Sequence, residues 1–328
     1  MTRRGFIGTV AASVPALAAQ PQPPSLGIAS TCFMTARRPT DTLAFLEYAH
    51  SLGAAGVQMN LTSMDAAYIR KLRGTAERHS MYVETMAPLP SGDTAPFERH
   101  VSAAVDAGAV AIRVGCLSGR RYENFSSYDD WKSWVKKAQD SVFRAVSVVE
   151  KRRIPMALEN HKDWTAAELA SLMKRISSEY AGVCLDTGNN ISLLDDPYEV
   201  VETLAPYTMA THVKDMGLAR SPDGFLLSEV VWGKGVLDMK RIVGAIAAAR
   251  PKTKLTLEMI TRNPLSVPCL TTKYWATFPD RSGAVLARMF TFLRQHESGP
   301  LPSVDGLTLD QLIEREELNV KQCLAAHA

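Results

Sequence analysis

The chain has 328 residues, 46% of them hydrophobic and 22% charged, and carries a formal net charge of +3. These proportions describe an ordinary globular chain with a large core, and so small a charge supplies no drive toward nucleic acid or an anionic membrane. The length allows two domains, yet closed α/β barrels of this size are commonly single.

Residues 1–20 stand apart. Thr2-Arg3-Arg4-Gly5-Phe6-Ile7 matches the twin-arginine export pattern, a weakly apolar run extends from Gly8 to Leu17, and Ala16-Leu17-Ala18 offers a small-residue cleavage site. Residues 21–25, rich in proline, read as a linker. The expectation is a folded protein exported to the periplasm or beyond, with no membrane contact past export, since no later segment holds the roughly 20 apolar residues that span a bilayer. The five cysteines form no CxxC pair, and Cys32, Cys116 and Cys184 read as small buried hydrophobes.

From residue 26 the chain alternates short apolar runs with amphipathic stretches of helical length. The predicted strands are 26–32, 56–60, 81–86, 109–114, 154–159, 182–186, 208–213 and 255–259. The predicted helices are 41–52 (Thr40 as N-cap), 63–79, 96–107, 129–151, 164–176, 197–205, 238–250 and 283–296. Thr165 and Glu168 have capping-box spacing. Eight strand–helix units over 26–296 predict one closed (β/α)8 barrel, a TIM barrel. A doubly wound sheet would want a glycine fingerprint after the first strand, and residues 26–36 have none. Residues 118–128 form a polar loop long enough to shape a pocket. Two long insertions, 216–235 with the turn signal Pro222-Asp223-Gly224 and 260–280, either cover the rim or build barrel-edge or oligomer contacts. The extension 297–328 holds one predicted helix, 309–325, capped by Thr308 and Gln311, and reads as a packing appendage.

Four side chains stand at the ends of the last four strands: Glu159, Asp186, His212 and Glu258. Singly, each is an ordinary cap, salt-bridge partner or core histidine. Jointly they share one rim, because successive strands of a parallel barrel are neighbours and their C-terminal ends converge. Three crowded carboxylates repel unless a cation sits among them. Three oxygens and one nitrogen favour manganese, then magnesium or cobalt, over zinc. Such an ion stabilises the enediolate formed when the carbon beside a carbonyl loses its proton, and Glu159 and Glu258 are placed to move that proton. Around them, His161 is a candidate for a substrate hydroxyl. Arg113 suits an anionic or polyhydroxy substrate, or a structural salt bridge. Lys214 and Asp215 suit an ion pair that orients His212. Trp232, Tyr274 and Trp275 offer faces for a sugar ring or anchors for loops.

As an ordered set, Glu159-Asn160-His161, Asp186-Thr187-Gly188, His212-Val213-Lys214-Asp215, Gly233-Lys234-Gly235 with Asp238, and Glu258 resemble the xylose isomerase-like barrel superfamily, in particular its sugar phosphate isomerase/epimerase branch. The resemblance covers roughly residues 26–296. It implies that Glu159, Asp186, His212 and Glu258 ligate the metal and that Glu159 and Glu258 form the acid/base pair acting on a non-phosphorylated sugar or keto-sugar. Asn189 occupies the position where ketose epimerases of the group carry a substrate-contacting histidine, and the arginine they carry shortly after the strand-seven histidine is missing. Related branches decarboxylate or eliminate from 3-oxo sugars, which makes a lyase the rival reading; a carbohydrate-binding barrel without turnover is the reading from another class.

Overall fold

The computed structural model describes residues 26–327, so the twin-arginine segment and the linker lie outside the described residues. The strands are β1 (Leu26–Ala29), β2 (Gly56–Asn60), β3 (Tyr82–Met86), β4 (Ala111–Val114), β5 (Met156–Glu159), β6 (Ala181–Asp186), β7 (Thr208–His212), β8 (Asp215–Ser221), β9 (Gly224–Val230), β10 (Leu255–Leu257) and β11 (Leu265–Val267). The helices are α1 (Thr42–Ser51), α2 (Ala66–Arg78), α3 (Ala95–Asp106), α4 (Arg121–Asn124), α5 (Tyr128–Arg152), α6 (Ala166–Ile176), α7 (Pro197–Leu204), α8 (Met239–Ala249), α9 (Thr272–Trp275), α10 (Gly283–His296) and α11 (Leu309–His327).

Eight parallel strands run in the order β10-β1-β2-β3-β4-β5-β6-β7. A single parallel bridge, Val213 to Leu257, joins the two outer strands and makes the barrel nearly closed. Val213 donates to the Thr256 carbonyl at 2.9 Å and accepts from Glu258 N at 3.1 Å. Local chemistry explains the helix ends. Thr165 and Glu168 make the reciprocal capping box that opens α6. Asp41, not Thr40, caps α1, because its carboxylate accepts from Ala44 N while Thr40 lies one residue too early.

Strand pleating sets what the barrel encloses. Side chains two apart share a face, so Ala111, Ala157, Cys184 and Ala210 lie one layer below Arg113, Glu159, Asp186 and His212. Those four small side chains form a buried cluster of their own, separate from the main core between strands and helices. On the other side of the interior the layer is polar: Gln58, Glu84 and Thr256 are all fully buried. The floor is closed by Tyr82, whose hydroxyl donates to the Leu255 carbonyl at 2.8 Å. Its ring lies across Gly56, where a β-carbon would stand 2.4 Å from it, so only glycine fits.

The two insertions are more ordered than their composition suggests. Residues 215–230 form a hairpin, β8 with β9, turning at Pro222-Asp223, and β11 adds antiparallel to β9 as a third strand. This small sheet stands beyond the C-terminal end of β7. The C-terminal helix is also more than an appendage. Fully buried Glu316 accepts from the backbone amides of Thr35 (2.8 Å), Ala36 (3.0 Å) and Arg37 (3.0 Å), and so fixes the loop after β1.

Replacing Glu316 with alanine leaves three amides without that acceptor. The expected loss is about 2–4 kcal/mol of stability, read as a lower urea midpoint; an unchanged midpoint removes the anchoring role from α11.

Candidate metal centre

Glu159 (end of β5), Asp186 (end of β6), His212 (end of β7) and Glu258 (just past β10) converge as the rim argument requires. One ligand atom from each lies within 4.8 Å of all the others, and all four residues are buried. His212 Nδ1 is 3.5 Å from Glu159 Oε1, 3.8 Å from Asp186 Oδ2 and 3.4 Å from Glu258 Oε1.

The tautomer of His212 is set from behind. Gln58 donates through Nε2 to Glu84 Oε2 at 2.9 Å, which turns Gln58 Oε1 toward His212 Nε2 at 2.6 Å. That nitrogen therefore carries the hydrogen, and Nδ1 keeps its lone pair. Burial lowers the His212 pKa, with Arg113 and Lys214 adding to the effect against the nearby carboxylates, so the ring is neutral at neutral pH. Nδ1 is buried with no hydrogen-bond partner. A lone pair facing three carboxylate oxygens is unfavourable on its own. The same arrangement suits donors that share one divalent ion at about 2.0–2.6 Å. The residues present fit such an ion.

Charge balance is a weaker argument than it looked from sequence, because the carboxylates already have cationic neighbours. Arg113 pairs with Glu159 Oε2. Lys214 Nζ lies 2.5 Å from Glu258 Oε2 and 2.7 Å from Asp186 Oδ2, the second contact being an ion pair rather than a directed hydrogen bond. Burial works against the charge on Lys214, and Asp186 and Glu258 more than offset it, raising its pKa. Burial also opposes ionisation of Glu258, and the Lys214 ammonium lying against it favours the carboxylate. The convergence of donors, with the unpartnered Nδ1 at its middle, is what points to a metal.

The surrounding residues sort clearly. Asn189 is buried at the site, donating from Nδ2 to Glu159 Oε1 at 3.2 Å and accepting at Oδ1 from Lys162 and, at 3.5 Å, from Lys214. His161 and Arg113 line a cavity of about 620 Å³ on the same rim, together with Thr31, whose hydroxyl donates to Glu258 Oε1 at 3.0 Å. Burial keeps His161 well below its usual pKa, hence neutral, and its Nδ1 is unpartnered.

Three sequence expectations are corrected. Lys214 does not pair with Asp215: in extended chain the two point to opposite faces, and Asp215 instead accepts from the amides of Gly233 (3.0 Å), Gly235 (2.8 Å), Leu237 (3.1 Å) and Met216 (2.8 Å). It shapes the Gly233-Lys234-Gly235 turn, and a β-carbon at Gly235 would lie 2.1 Å from its Oδ1. Trp232 is not on the cavity; its ring packs edge-on against His327 of α11. Tyr274 and Trp275 also turn away, their polar atoms donating to the carbonyls of Ser192 and Cys269 at 2.8 Å each.

Sequence reasoning missed Gln58 and Glu84, although a polar residue at an inward position of an otherwise apolar strand was a readable signal. It also missed Thr31 and Lys162. Burial pushes Lys162 down to about 8, with Lys214 adding to the effect, and pushes Glu84 up to about 7.

The pattern of the xylose isomerase-like TIM barrels matches residues 46–281, well over half of the chain. The chain belongs to this family. Among characterised proteins, this xylose isomerase-like barrel is 31% identical over 109 residues to 3-oxo-isoapionate decarboxylase of Pectobacterium atrosepticum, covering 31% of this chain and 40% of that protein. The chain thus spans less than half the length of that curated relative. Among solved structures, D-psicose 3-epimerase of Clostridium cellulolyticum H10, crystallised with D-tagatose, superposes with a TM-score of 0.58 at 15% identity, covering 84% of this chain and 100% of that one. A xylose isomerase-like TIM barrel protein of Mycobacterium smegmatis in complex with magnesium gives a TM-score of 0.56 at 13% identity, with 82% and 98% covered. At those identities the two structures speak for the barrel alone.

Because Gln58 holds the His212 tautomer, Gln58→Leu is expected to weaken manganese binding by about 10–100-fold with all four ligands in place. Calorimetric titration checks this, and an unchanged affinity removes Gln58 from the account.

Proposed function

We propose that this family member is a divalent-metal-dependent isomerase or epimerase that moves a proton at the carbon beside the carbonyl of a non-phosphorylated keto-sugar. The observation that carries the reading is the relation of the two glutamates to the cavity. Each is one hydrogen bond from its lining, Glu258 through Thr31 after β1 and Glu159 through Arg113 of β4. Both also belong to the four-donor cluster.

A manganese, magnesium or cobalt ion held by Glu159, Asp186, His212 and Glu258 supplies Lewis acidity, which makes the carbon beside a bound carbonyl more acidic. The chain's own groups do the rest. Glu159 and Glu258 come from strands on different sides of the barrel and approach a substrate from two directions, one to take a proton and the other to return one. Arg113 and Asn189 hold Glu159 at both oxygens, while Thr31 and Lys214 hold Glu258, so neither carboxylate needs to reorganise before the proton moves. Neutral His161 offers its free Nδ1 to a substrate hydroxyl.

A second reading, a lyase or decarboxylase on a 3-oxo sugar acid, is favoured by one specific position. Asn189 has its amide donating to Glu159 and its oxygen accepting from two lysines. That leaves one Nδ2 hydrogen, on a side chain without the reach or the titratable ring of a substrate-contacting histidine. The similarity to a 3-oxo-isoapionate decarboxylase points the same way.

Incubation of metal-loaded protein with ketoses and 3-oxo sugars in deuterated water is expected to place solvent deuterium at one carbon, whereas carbon dioxide release identifies the second reading. Glu159→Gln and Glu258→Gln are each expected to lower kcat by about 10²–10⁴-fold. A full substrate panel with neither label nor gas contradicts both readings. Export is the natural setting for a protein with the twin-arginine pattern at Arg3-Arg4. Replacing both arginines with lysine is expected to leave the protein in the cytoplasmic fraction, and unchanged distribution contradicts the leader.

A further inference from the structure

Each of the eight parallel strands carries one inward-facing side chain at or just past its C-terminal end, and the eight fall into two halves. Glu159, Asp186, His212 and Glu258 stand at the ends of β5, β6, β7 and β10 and form the donor cluster. The other half follows from the pleat. Gln58 and Glu84 face inward, so Asn60 and Met86, two residues further along β2 and β3, face inward as well. The two are register partners, and Met86 is paired in turn with Arg113 of β4. Thr31 stands in the turn after β1. Thr31, Asn60, Met86 and Arg113 all line the cavity of about 620 Å³.

Around the barrel, β2 and β3 lie opposite β6 and β7. Strands about 4.8 Å apart and tilted by about 36° leave about 15 Å between the backbones of opposite strands. A sugar whose carbonyl end lies at the donor cluster therefore directs its other end toward Asn60 and Met86. Three of the four cavity-side groups are engaged or apolar. Thr31 donates to Glu258 at 3.0 Å, Arg113 pairs with Glu159, and Met86 carries no donor. Asn60 differs. Its main chain is fixed, the carbonyl accepting from Thr42 Oγ1 at 3.0 Å. Its side-chain amide is exposed on the cavity wall and has no hydrogen-bond partner among the described residues. Two donor hydrogens and an acceptor oxygen are thus free to replace water with a substrate hydroxyl.

We propose that Asn60 determines specificity at this site by hydrogen-bonding a hydroxyl at the end of the keto-sugar remote from its carbonyl. The inference rests on the isomerase reading and adds to it the part of the substrate that is recognised. Met86, buried beside Asn60, offers a polarisable surface to the carbons of the same end. One half of the rim thus handles the reacting carbon and the other half measures the length and the hydroxylation of the tail.

The test follows solvent deuterium exchange by the manganese-loaded chain with D-fructose, D-psicose, D-tagatose and D-sorbose, each beside its 6-deoxy counterpart. The quantity read is the ratio of kcat/KM for the two members of an exchanging pair, compared between wild type and Asn60→Leu. That comparison cancels the intrinsic difference in ring form between the two sugars. The preference for the hydroxylated member is expected to fall about 3–10-fold in Asn60→Leu and equally in Asn60→Ala, at unchanged manganese affinity. A preference that stays the same while both members slow alike, or that falls only together with manganese affinity, overturns the role of Asn60. No exchange with any of the four ketoses by the wild type overturns the isomerase reading and this inference with it.

Discussion

One lone pair organises this site. His212 Nδ1 points into three carboxylate oxygens at 3.4–3.8 Å, has no hydrogen-bond donor of its own, and is kept free by the bond its other nitrogen makes to Gln58. A neutral imidazole aimed at acids is a poor arrangement for its own sake and a good one for sharing a cation. The interior of the barrel supports it: Glu84 orients Gln58, Thr256 donates to Glu84 at 2.9 Å, and Tyr82 contacts Thr256 at 2.9 Å. The polar side of the barrel thus forms one chain of hydrogen bonds from floor to rim, which transmits orientation rather than charge.

The same rim shows how a buried cluster of acids stays soluble in a protein interior. Arg113 and Lys214 lie directly against the carboxylates, and Asn189 connects Glu159 to two lysines. These groups hold Glu159 and Glu258 in fixed orientations.

Much of this was legible in the sequence, for identifiable reasons. Glu159, Asp186, His212 and Glu258 each follow an apolar run, and parallel strands of a barrel leave no choice about where such ends meet. The capping box at Thr165 and Glu168 and the turn at Pro222-Asp223-Gly224 were readable because each needs only a few adjacent residues. What was not legible depended on distant chain. The hairpin β8–β9 is completed by β11, a three-residue strand between prolines that has no pattern of its own. Trp232 faces α11, nearly a hundred residues later, so its ring resembled a loop anchor and a sugar platform equally. The pairing of Lys214 with Asp186 and Glu258 rather than with Asp215 is a matter of which face of extended chain each residue occupies, and sequence adjacency misled.

The most direct test is anomalous diffraction from crystals of the manganese-soaked protein. The account predicts one strong peak per chain, bounded by His212 Nδ1 and the carboxylates of Glu159, Asp186 and Glu258. A peak elsewhere, or none in crystals that diffract well, contradicts it.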